Sequence, residues 1–344
     1  MAVLAERIPH SRSDEPRAAE GARTLVRWFA DLSIEDVPSV GGKNASLGEM
    51  FRELHEKGVK VPNGFATTAD AFRLFLRVAG LDQEVRRGLS DLDVENLEEL
   101  RRRSHALRQK ILLARLPEEL ERQILEAYDR LSDGVEGGID VAVRSSATAE
   151  DLPQASFAGQ QETYLNVRGH GQLLDACRRC FASLFTDRAI SYRVHQGFDH
   201  FAVALSVGVQ RMVRSDLAAA GVIFTLDTET GFRDVVLVNS SYGLGETVVK
   251  GAVNPDEFYV FKPTLAAGKR PILSRKLGSK AFKLIYAGGG GAMTRSVPVE
   301  AEDRCRLSLG DDDVLTLARW ACLVEDHYST KNGRPTPMDL EWAK

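Results

Sequence analysis

The chain has 344 residues, of which 43% are hydrophobic and 27% charged, and its formal net charge is −4. That length suits two packed units of ordinary size, and the composition excludes general disorder. The near-balanced charge speaks against a nucleic-acid partner, and no apolar run reaches the roughly 18 residues of a membrane span.

Residues 1–23 are polar, carry Pro9 and Pro16 and lack the apolar core of a signal peptide, so a mobile tail and a cytoplasmic location are expected. Leu47, Met50, Phe51 and Leu54 share one face of a helix predicted over 45–57, which Gly58 ends. A short strand and turn follow in VKVPNGFATT, and Thr68 or Asp70 is placed to cap the next helix. Residues 94–132 read as two charged, surface-facing helices, and DGVEGG as a break. The β-branched run VAVRSS at 141–146 predicts a buried strand, with ETYLNV at 162–167 as its partner. One long helix is predicted over about 172–195, with Leu173, Leu174, Cys177, Phe181 and Leu184 facing inward.

Beyond Gly197 the character changes. VALSVGVQRMV, AAGVIFTLD, DVVLVNSS and EFYVFKP are strands separated by turn residues, and GGGG at 288–291 reads as a turn. Residues 313–328 form an amphipathic helix, and MDLEWAK is a last strand. No repeat occurs at solenoid spacing. Two α/β lobes are therefore expected, over 24–200 and 201–344. Cys177 and Cys180 form a C-x-x-C, but neither a second cysteine pair nor a nearby histidine completes a tetrahedral metal site, so they read as two thiols one helical turn apart.

General nucleotide motifs are missing. There is no G-x-x-x-x-G-K-[ST] loop and no H-E-x-x-H, and Gly243-Leu244-Gly245 lacks the third glycine of a dinucleotide fingerprint. Other residues carry candidate chemistry. Gly41-Gly42-Lys43 precedes a helix, where exposed N–H groups and a lysine suit an anion; an exposed lysine after a turn is the alternative. Arg144 ends the 141–146 strand, where its guanidinium can fork onto phosphate oxygens or pair with Glu150 or Asp151. The loop Ser156–Gln161, with Gly159 and Gln160, can fold over phosphates or be a plain hairpin. Gln210, Met212 and Val213 end a strand at the lobe boundary, where backbone groups can meet an adenine edge and Met212 its face; a core methionine is the alternative. Glu246 follows two glycines and can reach a ribose or a metal. Asp339 and Glu341 alternate on the last strand, so both point to one side, which suits Mg²⁺ or simply a solvated face.

Long blocks in consistent order resemble one family. GGKNASLGEM, VPNGFATTADAF, VRSSATAEDLPQASFAGQQETYLNV, FASLFTDRAISYRVHQG, GVQRMVRSDLAAAGVIFTLDTETGF, GLGETVVKGAVNPDEFYVFKPTL and MDLEWAK look like the amino-terminal domain of the phosphoenolpyruvate synthases, over about residues 25–344. The resemblance implies an α+β, ATP-grasp fold, with ATP held between two lobes. It also implies the reaction ATP + pyruvate + water → AMP + phosphoenolpyruvate + phosphate, run through a carrier histidine on a swivelling domain and a third domain that binds pyruvate. By that resemblance Lys43 contacts ATP phosphates and Arg144 stabilises the charge on the transferring phosphates. It gives Gln210 and Met212 to the purine segment, places Glu246 near the nucleotide and makes Glu341 an acidic Mg²⁺ ligand.

Three departures from the family pattern bear on activity. No histidine of this chain stands in the Gly-rich Thr-Cys-His context of the carrier. The family continues past the position of Lys344 into a strand whose glutamine and arginine also bind ATP and metal, so full turnover is not expected of this chain alone. HYSTKNGRPTPMDLEWAK has extra residues around GRP, and Pro337 before the last strand threatens the register of Asp339 and Glu341. The alternatives are a related dikinase or rifampin phosphotransferase, or a non-catalytic nucleotide-binding remnant. The oligomeric state is open, with a homodimer as one expectation.

Overall fold

The computed structural model describes residues 24–148, 151–152, 155–156, 162–287 and 294–344. In chain order the elements are β1 (Val26–Trp28), α1 (Val37–Leu54), β2 (Gly64–Thr67), α2 (Ala69–Val78), α3 (Leu81–Leu89), α4 (Leu97–Leu113), α5 (Glu118–Ser132) and β3 (Val141–Ala147). The short β4 (Asp151–Leu152) and β5 (Ala155–Ser156) pair with each other and precede β6 (Thr163–Val167), α6 (His170–Ser183), α7 (Asp187–His195) and β7 (Leu205–Arg211). The rest comprises β8 (Ala219–Phe224), β9 (Val235–Tyr242), α8 (Glu246–Val249), β10 (Asp256–Phe261), α9 (Lys262–Ala266), β11 (Ile272–Lys276), β12 (Phe282–Tyr286), β13 (Thr294–Pro298), α10 (Ala301–Arg304), α11 (Asp311–Asn332) and β14 (Asp339–Ala343). Helices and antiparallel sheets are both present in quantity, the α+β class expected from the sequence.

Among the described residues, one compact unit holds 24–53 and Val61–Met212, and the other Leu54–Lys60 and Val213–Lys344. The expected division near residue 200 falls instead at Met212, because β7 is the central strand of the first sheet, whose order is β1-β2-β7-β3-β6. Side chains hold β7 there. Ser206 Oγ donates to the Thr67 carbonyl at 2.6 Å, and the Val207 N–H donates to Thr67 Oγ1 at 2.9 Å. Asn44 Nδ2, fully buried on α1, donates to Ser206 Oγ at 2.8 Å and to the Val40 carbonyl at 3.1 Å, which fastens the helix to the same sheet.

The expected helix over 172–195 is two helices. Thr186 Oγ1 accepts the Ala189 N–H and donates to the Ser183 carbonyl, so a capping threonine ends one helix and starts the next. Phe181 on α6 packs against Phe72 and Phe75 of α2, with ring centroids 5.4 and 5.6 Å away. Cys177 and Cys180 are buried on α6 with free thiols, and burial raises the Cys177 thiol to about 12, so they behave as core residues.

The second sheet runs β11-β10-β9-β8-β14, all antiparallel. One face carries Ile223, Val236, Val238, Phe258 and Val260, and packs on Val314, Leu315, Ala318 and Ala321 of α11. Asp256 and Lys280 form a fully buried pair on this side, and Asp256 also accepts the Gly278 and Ser308 N–H groups, so its charge is fully partnered. β11, the paired strands β12 and β13, and α3 were not expected from the sequence.

Candidate functional site

The first unit gathers the cationic candidates. The continuous stretch Val37–Leu54 is interrupted at Gly41, whose φ of +75° and ψ of 162° are not helical. The regular helix therefore starts at Gly42, and Gly42-Lys43-Asn44 is its first turn, where N–H groups lack intrahelical acceptors and favour negative charge. Gly41 lies so close to the end of β3 that a Cβ there would sit 2.3 Å from Ser146 Oγ and 2.7 Å from the Ser146 carbonyl oxygen. Only glycine tolerates both that dihedral and that approach.

Arg144 and Ser146 alternate with the buried Val141 and Val143, so they share one face of β3, the face that Gly41 touches. That face bears unpaired polarity. Arg144 Nε and Ser146 Oγ are buried with no hydrogen-bond partner, and so is Asn44 Oδ1. Each such orphan costs about 1–3 kcal/mol if nothing completes it. Lys43 is half-buried in the first turn of the same helix that carries Asn44. The structure thus brings Lys43 and Arg144 to one side of the first sheet. Asn44 and Ser146 were missed by sequence reasoning; GGKN and VRSS contain them, but only the approach of Gly41 to Ser146 unites the two motifs.

Gln210 is pinned, with Nε2 donating to the Pro62 carbonyl at 3.1 Å, and the Met212 N–H donates to the Asp140 carbonyl at 3.0 Å. The Val213 carbonyl accepts the Ser215 N–H at 2.8 Å. These contacts anchor the segment, and they occupy the Met212 N–H as a donor. Gly159, Gln160 and the loop at 288–291 lie outside the described residues.

The second unit gathers the acidic candidates. Asp339 pairs with Phe224 and Glu341 with Val222 across β8, while Leu340 and Trp342 pack into the core. Pro337 has not turned either carboxylate inward, and the two share the outward face of β14. Burial and, second, the neighbouring Glu341 charge raise the Asp339 carboxyl above its ordinary value. Glu246 opens α8 and pairs with Lys250 one turn on, at 2.5 Å. The preceding Gly245 stands 3.4 Å (from its Cβ position) from Ala220 Cβ, and Ala220 is opposite Ala343, on the carboxylates' side of the sheet. The start of α8 therefore lies on the same sheet face as Asp339 and Glu341.

Among the described residues no group of three or more His, Cys, Asp or Glu side chains is arranged for a metal ion. Two carboxylates nonetheless suit Mg²⁺, which keeps several waters and takes its remaining ligands from substrate phosphates. Two surface clefts, one around Tyr128, Asp129 and His170 and one around Asn254, Arg304 and Cys305, contain none of the expected site residues. No helix among the described residues is long and apolar enough to cross a membrane.

Comparison with known proteins places this arrangement. The phosphoenolpyruvate synthase of Synechocystis sp. is 56% identical over 336 residues, covering 96% of this chain and 41% of that protein. Those of Aquifex aeolicus and Escherichia coli are 54% and 53% identical, covering 95% and 94% of the chain and 38% and 40% of their own lengths. The chain thus spans about two fifths of the length of these curated relatives. Residues 37–344 match the family described as pyruvate phosphate dikinase, AMP/ATP-binding domain, and the chain belongs to that family.

Proposed function

We propose that this chain is the ATP-grasp unit of a phosphoenolpyruvate synthase, binding ATP with Mg²⁺ and passing phosphoryl groups to a carrier histidine on a further domain. The net reaction of such a protein is ATP + pyruvate + water → AMP + phosphoenolpyruvate + phosphate, with pyruvate bound on another domain. The observation that carries the reading is the orphaned pair, Arg144 Nε and Ser146 Oγ, buried beside the first turn that bears Lys43. Arg108, Arg178 and Arg193 also keep buried guanidinium nitrogens without a partner, and what sets Arg144 apart is its place on the strand face that Gly41 and the first turn of α1 approach. Phosphate oxygens match all three donor types present: a guanidinium, an ammonium and helix N–H groups.

In this reading Arg144 and Lys43 hold the phosphates in place and balance the charge that moves between them, which is most of what phosphoryl transfer asks of a protein. Asp339 and Glu341 would hold Mg²⁺ through their carboxylate oxygens, and the ion would supply positive charge there. Glu246 faces the nucleotide from α8. The segment Gln210–Val213 meets the purine through the backbone groups left to it. Relatives named phosphoenolpyruvate synthase, at more than half identity over nearly the whole chain, favour the synthase over another dikinase.

Ligand-linked stability tests this. ATP with Mg²⁺ at about 100 times its Kd should stabilise the fold by about 2.7 kcal/mol and raise Tm accordingly. Arg144→Ala should remove most of that rise without unfolding the chain. A Tm unmoved by saturating nucleotide would contradict the proposal.

A further inference from the structure

β14 carries the acidic pair, yet it has one neighbouring strand among the described residues, β8, and its start follows Pro337. Its sequence Asp-Leu-Glu-Trp-Ala alternates strictly. Alternation forbids a slip of one residue, which would bury the carboxylates and expose Trp342. It does not forbid a slip of two, which keeps every side chain on its own face and moves both carboxylates about 7 Å along β8. Some other contact must exclude that register.

Thr225, the residue after β8, is fully buried and meets Met338, the residue before β14, twice. The Thr225 N–H donates to the Met338 carbonyl at 3.0 Å, and the Met338 N–H donates to Thr225 Oγ1 at 2.7 Å. The same hydroxyl donates its proton to Glu325 Oε1 of α11 at 3.1 Å. Lys262 Nζ, at the start of α9, bridges the Thr225 carbonyl at 2.5 Å and Glu325 Oε2 at 2.6 Å. The hydroxyl therefore donates to α11 and accepts from β14 at once. A two-residue slip would bring Thr336 or Leu340 opposite Thr225 in place of Met338. The first draws Pro337, which has no N–H, into the ladder opposite Phe224. The second sets Trp342 opposite Ile223 instead of Gly221.

Two further contacts agree on the observed register. The Trp342 indole N–H crosses β8 to donate to the Asn239 carbonyl of β9 at 3.1 Å. It can do so because residue 221 is glycine; a Cβ there would lie 1.9 Å from the Asn239 oxygen and 3.1 Å from the indole nitrogen. At the far end Lys344 Nζ pairs with Asp313 of α11 at 2.7 Å.

We propose that Thr225, backed by Lys262 and Glu325, is a positioning residue that fixes the register of β14 and thereby aims Asp339 and Glu341 at the metal. The clasp itself rests on geometry; its purpose rests on the Mg²⁺ reading above, and the test separates the two. Hydrogen exchange over Asp339–Ala343 reads the clasp, and Mn²⁺ binding in the presence of ATP reads the metal. Thr225→Val, isosteric but without the hydroxyl, should speed exchange over β14 about tenfold and weaken Mn²⁺ binding by a similar factor. Thr225→Ser should restore both, and Lys262→Met should give a smaller change in the same direction. Val236→Ala, a core change on β9 of comparable destabilisation, should leave Mn²⁺ binding near wild type. Unchanged exchange over β14 in Thr225→Val would overturn the clasp, and weakened Mn²⁺ binding of equal size in Val236→Ala would overturn its positioning role. If Glu341→Gln leaves Mn²⁺ binding intact while Thr225→Val still loosens β14, the metal reading falls and the clasp stands.

Discussion

Among single residues, function turns on a few side chains whose surroundings are chemically incomplete. Gly41→Ala forces a β-carbon onto Ser146 at a positive φ, so it should cost at least about 2 kcal/mol in urea unfolding and weaken ATP binding with it. Asp339 gives a prediction of opposite sign. Its folded carboxyl is raised, so the folded state binds the proton more tightly than the unfolded one. Stability contributed by that group is present below the unfolded value of 3.8 and is lost as pH rises through the folded value. Asp339→Asn should therefore raise the metal-free Tm at neutral pH while removing the Mg²⁺ dependence of ATP binding. A lower Tm for Asp339→Asn would show that the carboxylate supports the fold. His200 behaves as the reverse case. Burial and the Arg193 guanidinium hold it down at about 4 against an ordinary 6.5, and its Nδ1 accepts the Arg193 Nε–H at 3.1 Å. Stability should fall as pH drops from about 6.5 to about 4, because the unfolded chain takes the proton first. His200→Asn should flatten that fall in urea midpoints measured across the window.

Among the elements, β14 and the start of α1 show what was legible. The alternation Asp339-Leu340-Glu341-Trp342 placed both carboxylates on one face from sequence alone, and Leu340 and Trp342 do face the core. VRSS was legible as a buried strand with Arg144 near its end, and GGK as a glycine turn into a helix. Their union was not, because it depends on Gly41 meeting Ser146 across the fold, and no local pattern encodes that contact. β7 was legible as a strand but assigned to the wrong unit. Its place is set by Ser206 and Val207 meeting Thr67, a pairing between segments far apart in the chain. The 172–195 helix was over-extended because its apolar spacing runs on through Thr186, whose hydroxyl caps a new helix. Thr186→Ala should cost about 1 kcal/mol and raise exchange in the first turn of α7; an unchanged α7 would mean packing alone sets that boundary.

Across the whole molecule, the chain divides its chemistry between two units. The first carries Lys43, Arg144 and the orphaned Arg144 Nε, Ser146 Oγ and Asn44 Oδ1, and the second carries Glu246, Asp339 and Glu341. Taken by itself, the first unit offers cations that suit phosphate, and the second, taken by itself, offers carboxylates that suit a metal ion. The match to an AMP/ATP-binding domain family runs over residues 37–344 and so takes in residues of both units. The functional proposal stands or falls with Lys43 and Arg144 binding the phosphates of ATP while the acidic pair holds Mg²⁺. Calorimetric titration of the chain with ATP, with and without Mg²⁺, beside Lys43→Ala and Arg144→Ala, decides it. Mg²⁺-dependent binding is expected, and each substitution should weaken it by about 1.5–3 kcal/mol, roughly ten- to a hundredfold or more in Kd. Wild-type affinity in a folded Arg144→Ala chain would contradict it.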